Sequence, residues 1–164
     1  MGSGTGDGFT FVLQPDGVTG FSGVSPHGSS GGGLGYGPST PGGTGEKIPN
    51  SLAVKFDLHN NAGEGTDSTG VYLNGASPTT PAIDLTPSGI NLHNGHTFHA
   101  HIVYDGTTLT WTIVDLTDYR VFTTSVPENI PAIMGNSVYV GFTSATGAST
   151  GVIHILNWTF VQGN

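Results

Sequence analysis

The chain has 164 residues, no cysteine, and a formal net charge of −8 from 3 Lys+Arg against 11 Asp+Glu. That length supports one domain with its own core; charged residues make up only 9% of it, against roughly 25% in an average soluble protein. The negative balance repels a phosphate backbone or an anionic bilayer, which argues against nucleic-acid binding, and the missing cysteines exclude disulfides, thiolate metal sites and Cys nucleophiles.

In chain order, short runs rich in β-branched and aromatic residues predict strands at residues 9–13, 52–58, 70–73, 97–104, 108–114, 119–124, 137–143 and 152–161. No segment shows a helical period, and 28 glycines with 10 prolines favour turns. Turn signals fall at Pro15-Asp16-Gly17, Asn74-Gly75, Asn94-Gly95 and Asp105-Gly106, the last placed as a type I′ hairpin requires. Many short antiparallel strands predict an all-β sandwich or barrel, one domain over residues 1–164. A Gly-rich loop of about residues 15–50 is either functional or a linker; the apolar anchors in Gly31-Gly32-Gly33-Leu34-Gly35-Tyr36 are something a linker does not need. No apolar run reaches the roughly 20 residues of a membrane span, so no membrane insertion is expected. The start MGSGTGDG lacks the basic and apolar regions of an export signal. Low charge with abundant Thr, Ser, Asn and Gly nevertheless suits an extracellular protein.

Two groups of residues carry candidate chemistry. Residues 57–68 leave an apolar strand and enter a Gly-rich turn with Asp57, His59, Asn61, Glu64 and Asp67 close in sequence. Convergent carboxylate, amide and backbone oxygens suit a hard cation such as Ca²⁺; the same residues equally cap turns through Asx hydrogen bonds. His99 and His101 share a strand face near His93 and His96 and lack only a further ligand for Zn²⁺ or Ni²⁺; solvent-facing histidines are the plainer alternative. Paired carboxylates at alternate strand positions, as a sandwich glycosidase uses, are absent, as is a Gly-x-Ser-x-Gly elbow, so no enzyme is expected. Asn157-Trp158-Thr159 is a formal glycosylation sequon inside an apolar run and reads as core.

Four stretches together resemble the legume-type lectin domain, a concanavalin A-like jelly roll, and are most similar to bacterial proteins that carry it. They are Gly6-Asp7-Gly8-Phe9-Thr10-Phe11-Val12-Leu13, Gly32-Gly33-Leu34-Gly35-Tyr36, Val54-Lys55-Phe56-Asp57-Leu58-His59-Asn60-Asn61, and the run from Val138 to Gly147 followed by Ile155 to Phe160. The resemblance implies glycan binding on a shallow surface formed by four loops that a metal holds in shape. Asp7 matches the carboxylate that accepts sugar hydroxyls, and the Gly6–Asp7 peptide matches one that is cis in the family. Gly32 or Gly33 matches a backbone N–H donor. Asn61 matches an amide that contacts sugar and Ca²⁺, and His59 stands for the aromatic that stacks on sugar and lends its carbonyl to the ion. Ala145, Thr146 and the residues up to Ser149 match the loop that sets specificity. Asp57, the His59 carbonyl, Asn61 and Glu64, with Asp67 as its competitor, are the expected Ca²⁺ ligands.

The departures carry equal information. The family's transition-metal site has a glutamate where this chain has Lys55, and a histidine where it has Ser68 or Thr69, so the Mn²⁺ site is expected to be lost. Lys55 either turns its ammonium toward that position and neutralises Asp57, or points to solvent. The several strands that precede Gly6–Leu13 in the family are missing, which makes this a fragment or a reduced sandwich and raises strand complementation or a homo-oligomer as partners. The leading expectation is a non-enzymatic, Ca²⁺-supported lectin-like module for glycans. The alternative is an extracellular structural or adhesive sandwich that has lost sugar binding.

Overall fold

The computed structural model describes residues 6–15 and 26–163. The Asp16-Gly17 turn signal and residues 16–25 of the long loop lie outside them. Strand β1 is Gly8–Pro15, β2 Leu52–Asp57, β3 Ser68–Leu73, β4 Ile83–Asp84, β5 Phe98–Tyr104, β6 Thr108–Asp115, β7 Val121–Pro127 and β8 Val138–Ala145, with one short helix α1, Ile130–Met134. They form an antiparallel five-stranded sheet in the order β4-β3-β2-β1-β8 and a three-stranded sheet in the order β5-β6-β7.

Two-residue alternation explains both sheets. In β6 every second residue is buried, and Leu109, Trp111 and Ile113 join Leu52, Val54 and Phe56 of β2 in the core between the sheets. Trp111 also spans the sandwich, donating its indole N–H to the Thr69 hydroxyl at 3.0 Å. Strand β2 is buried on both faces. Its other face carries Ala53, Lys55 and Asp57, and Ala53 packs there with Val12, Tyr36, Ile48 and Tyr72. This second cluster holds the Gly-rich loop down. Leu34 and Tyr36 are fully buried, and the Tyr36 hydroxyl donates to the Tyr72 carbonyl at 2.9 Å and accepts from the Ser51 hydroxyl and the Gly75 N–H. The described part of the loop, residues 26–50, is therefore built structure, as its apolar anchors predict, and not a linker.

Several expectations need correction. Residues 152–161 form no strand: nothing among the described residues pairs with their backbone, and an isolated extended segment has no ladder to join. Trp158 rests edge-on against Phe142 but stays 52% exposed, and Asn157 is exposed, so the sequon is not core. Helix α1 went unpredicted because a single turn is too short to show a period; Asn129 caps it by accepting from the Ala132 N–H at 3.1 Å. At Asp105-Gly106 only Gly106 has a left-handed φ, whereas type I′ needs two. The Asp105 carboxylate replaces that geometry by accepting from the Thr107 and Thr108 N–H groups, each at 2.8 Å. Asn74 and Gly75 are both left-handed and close the Leu73–Ala76 turn at 2.9 Å. Among the described residues, no helix is long and apolar enough to cross a membrane.

Candidate functional site

The start of β1, the end of β2, the 3₁₀ turn Gly31–Gly33 and the end of β8 meet at one corner of the five-stranded sheet. Pairing of Gly8 with Asp57 on one side and with Ala145 on the other aligns those ends. Asp7 sits between them and is 3% exposed. Its carbonyl accepts from the Leu58 N–H at 2.8 Å, and its carboxylate Oδ2 accepts from the Gly147 N–H at 2.6 Å.

The glycine turn lies directly against these groups. A Cβ on Gly32 would come within 2.8 Å of the Asn61 side-chain carbon, and one on Gly31 within 3.9 Å of Asp7 Oδ1. Asp7, Gly32 and Asn61 are thus brought together, with Asn61 exposed and His59 half-buried beside it. Gly33 turns away: a Cβ there would meet Ser29 and Pro38. Ala145 and Thr146 continue from β8 toward Gly147 and also border a shallow depression lined by Phe9, Phe142, Ile153 and Ile155, which contains none of Asp7, Gly32 or Asn61. The Gly6–Asp7 peptide is not cis; among the described residues the cis bond is Thr80–Pro81. A trans bond already delivers the Asp7 carboxylate to Gly147.

Behind the corner lies a charged pair with no access to solvent. The Lys55 ammonium and Asp57 carboxylate are both 0% exposed, with Nζ 2.9 Å from Oδ2. Nζ also donates to the Thr79 carbonyl at 2.9 Å and lies 5.6 Å from the centre of the Tyr72 ring. Of the two readings of Lys55, the inward one holds. Burial pushes the Asp57 carboxyl up to about 6, with the Lys55 ammonium as the chief opposing influence. Burial likewise pulls the Lys55 ammonium below its usual range, against the attraction of Asp57. Asp57 Oδ1 accepts from the His59 N–H at 3.1 Å, an Asx turn.

The loop after β2 is closed by Glu64. It is buried, and its two oxygens accept from the Asn61 N–H at 3.0 Å and from the Ala62 N–H. Asp67 is directed elsewhere: its Oδ1 accepts from the Leu92 N–H at 2.6 Å and pairs with His93 Nδ1 at 3.0 Å, while His93 Nε2 meets the Leu58 carbonyl. His93 therefore clamps the loop to the chain 26 residues on, a contact with no local signal. The rings of His99 and His101 stack on an exposed face with centroids 6.3 Å apart, and no third titratable ligand joins them among the described residues.

The set whose ligand atoms do converge, within 4.8 Å, is His96, Asp115 and Asp118, which sequence reading missed. Asp115 is saturated with donors: the Thr117 N–H at 2.8 Å, the Asp118 N–H at 3.2 Å, the Asn94 amide at 2.9 Å and His96 Nδ1 at 2.8 Å. Burial opposes ionisation, but these bonds, led by that from His96, hold the carboxyl well below the usual carboxylate range. A carboxyl depressed on folding stabilises the protein above its unfolded pKa of about 4, and that stability is lost as the pH falls toward the lower folded value. Urea titrations at pH 7, 4 and 3 should therefore show stability falling below about pH 4, and falling less steeply in Asp115→Asn, which at pH 7 is less stable by about 2 kcal/mol.

A family model described as the legume lectin domain matches residues 2–164. The chain belongs to the legume lectin domain family. Its antiparallel sheets are the legume-lectin jelly roll. It is similar to the basic winged bean lectin, solved with Tn-antigen, at TM-score 0.63 and 25% identity over 86% of this chain and 53% of that one. The winged bean acidic lectin, solved with methyl-α-D-galactose, has the same score and identity over 87% and 54%. Favin of Vicia faba is 28% identical over 98% of this chain and 64% of that protein. A probable L-type lectin-domain containing receptor kinase, S.5, of Arabidopsis thaliana is 28% identical over 94% of this chain and 23% of that protein. The chain thus spans about half the length of these solved legume lectins and less than two thirds of either plant relative. The expected bacterial likeness finds no support here, since these relatives are plant proteins.

Proposed function

We propose that this chain is a non-enzymatic, extracellular carbohydrate-binding module whose site is the corner formed by Asp7, Gly32 and Asn61. The observation that carries the reading is their juxtaposition from three separate loops. A buried carboxylate with Oδ1 facing the glycine turn, a side-chain amide, and backbone that a ligand can approach closely suit a polyhydroxyl ring. The Gly32 N–H, the His59 ring, Ala145 and Thr146 complete the proposed contacts; the Gly33 N–H is spent on the Ser30 carbonyl. The sugars in the winged bean lectin structures support the same ligand class.

The oxygen donors beside this corner are those of a hard cation. The Asp57 and Glu64 carboxylates, the Asn61 amide and the His59 carbonyl would hold Ca²⁺, which would supply charge that fixes the loop. Asp67, engaged with His93, is the weaker candidate. Binding at one site is expected to be weak and strengthened by multivalency. The exposed apolar side chains of residues 152–161, together with β8 at the end of its sheet, support self-association or strand complementation.

A glycan array probed with Ca²⁺ and with chelator tests the reading. The expected result is a defined set of bound glycans that is lost on chelation, and a melting temperature that Ca²⁺ raises by about 5 °C at saturating ion. Silence in both conditions from a folded chain would move the assignment to a structural or adhesive sandwich. A melting curve indifferent to chelator would remove the ion.

A further inference from the structure

We propose that the Lys55 ammonium is a built-in replacement for a transition-metal ion, so that the glycan corner of this chain is held in shape at the Asp57 side without one. The residues present do not fit such a metal. Legume lectins pair Ca²⁺ with Mn²⁺, and the position matched to their metal-binding glutamate holds Lys55. A protonated ammonium has no lone pair to offer and cannot take the glutamate's place as a ligand. At the position matched to the histidine ligand, neither residue supplies an imidazole. Ser68 is fully buried with a hydroxyl that has no partner among the described residues, and the Thr69 hydroxyl donates to the Lys55 carbonyl at 2.7 Å.

What the ammonium does there is what a cation would do. It neutralises Asp57, the carboxylate shared with the proposed Ca²⁺ loop, at 2.9 Å. It ties the end of β2 to the Thr79 carbonyl, and its remaining direction is covered by the Tyr72 ring. Every contact is with this chain and none with solvent, so the pair is a fixed part of the fold and not a surface ion pair. Lys55 and Asp57 stand two residues apart on one face of β2, which makes the substitution local: one strand carries both the charge and its counter-charge.

The inference rests on the glycan reading only for the place of the corner. Its test reads metal content and melting, so either can fail alone. Chelator-stripped chain is equilibrated with Mn²⁺ in excess Ca²⁺, desalted and analysed for bound metal. Wild type, Lys55→Met, Asp57→Asn and the double variant are then melted in metal-free buffer. The expected result is no Mn²⁺ above the blank and a fall of about 10 °C in Lys55→Met. At least half of that fall returns in the double variant, because the buried charges leave together. Stoichiometric Mn²⁺ in the wild type, or a double variant whose loss equals the sum of the single losses, overturns the proposal. Should Lys55→Met fail to fold, the metal content of the wild type alone decides.

Discussion

The Asp7→Ala chain is expected to retain no glycan on the array while remaining folded. Asp7 is the one carboxylate in the proposed site that faces the glycine turn, and two charge-assisted hydrogen bonds to sugar hydroxyls contribute about 1.5–3 kcal/mol each. Losing both weakens binding by at least about 100-fold, enough to erase a weak single-site interaction. The fold should tolerate the change. Among the described residues Asp7 has one side-chain bond, to the Gly147 N–H, whose removal costs about 1 kcal/mol and a few degrees of melting temperature. Asp7→Asn separates shape from charge, since it keeps an acceptor for Gly147 and removes the carboxylate. Retention unchanged in both variants would take Asp7 out of the site.

The second large effect is on stability. Trp111→Ala is expected to cost about 4 kcal/mol, or roughly 12 °C of melting temperature, because it empties the middle of the core and removes the bond to Thr69. Trp111→Phe should recover most of that volume and leave a deficit of about 1 kcal/mol for the lost indole bond, the Thr69 hydroxyl keeping its bond to the Lys55 carbonyl. Denaturant unfolding of the two variants checks both figures. Equal losses would show that the indole N–H, and not the ring volume, holds the sheets together.

The features legible in the sequence were those with a local period. The alternation Leu109, Trp111, Ile113 marks β6 and its buried face without reference to any other strand, and the prediction of residues 108–114 lies within the observed Thr108–Asp115. Residues 152–161 are richer in apolar side chains, yet no strand forms, because pairing needs a neighbour that a local pattern does not contain. The same distinction divides the site. Period two placed Lys55 beside Asp57, but which way that face pointed depended on the loop pinned by Tyr36 and on Thr79, both far along the chain. What sets Asp67 apart from Glu64 in the fold is its pairing with His93, far along the chain. Resemblance singled out Asp7, Gly32 and Asn61, which the fold brings to one corner, because their motifs are contiguous in sequence. It could not reach the trans geometry of Gly6–Asp7 or the capped turn around Asp115.

Strand β2 divides two duties between its faces: Leu52, Val54 and Phe56 join the sheets, and Ala53, Lys55 and Asp57 serve the corner. A shift of one residue in its pairing would exchange them, driving an ammonium and a carboxylate into the apolar core and a phenyl ring toward the corner. Such a slip is costly twice over, through stranded charge and lost packing. The pair at the corner therefore also acts as a proofreader for strand alignment: a chain that folds at all has already brought Lys55 and Asp57 to that corner.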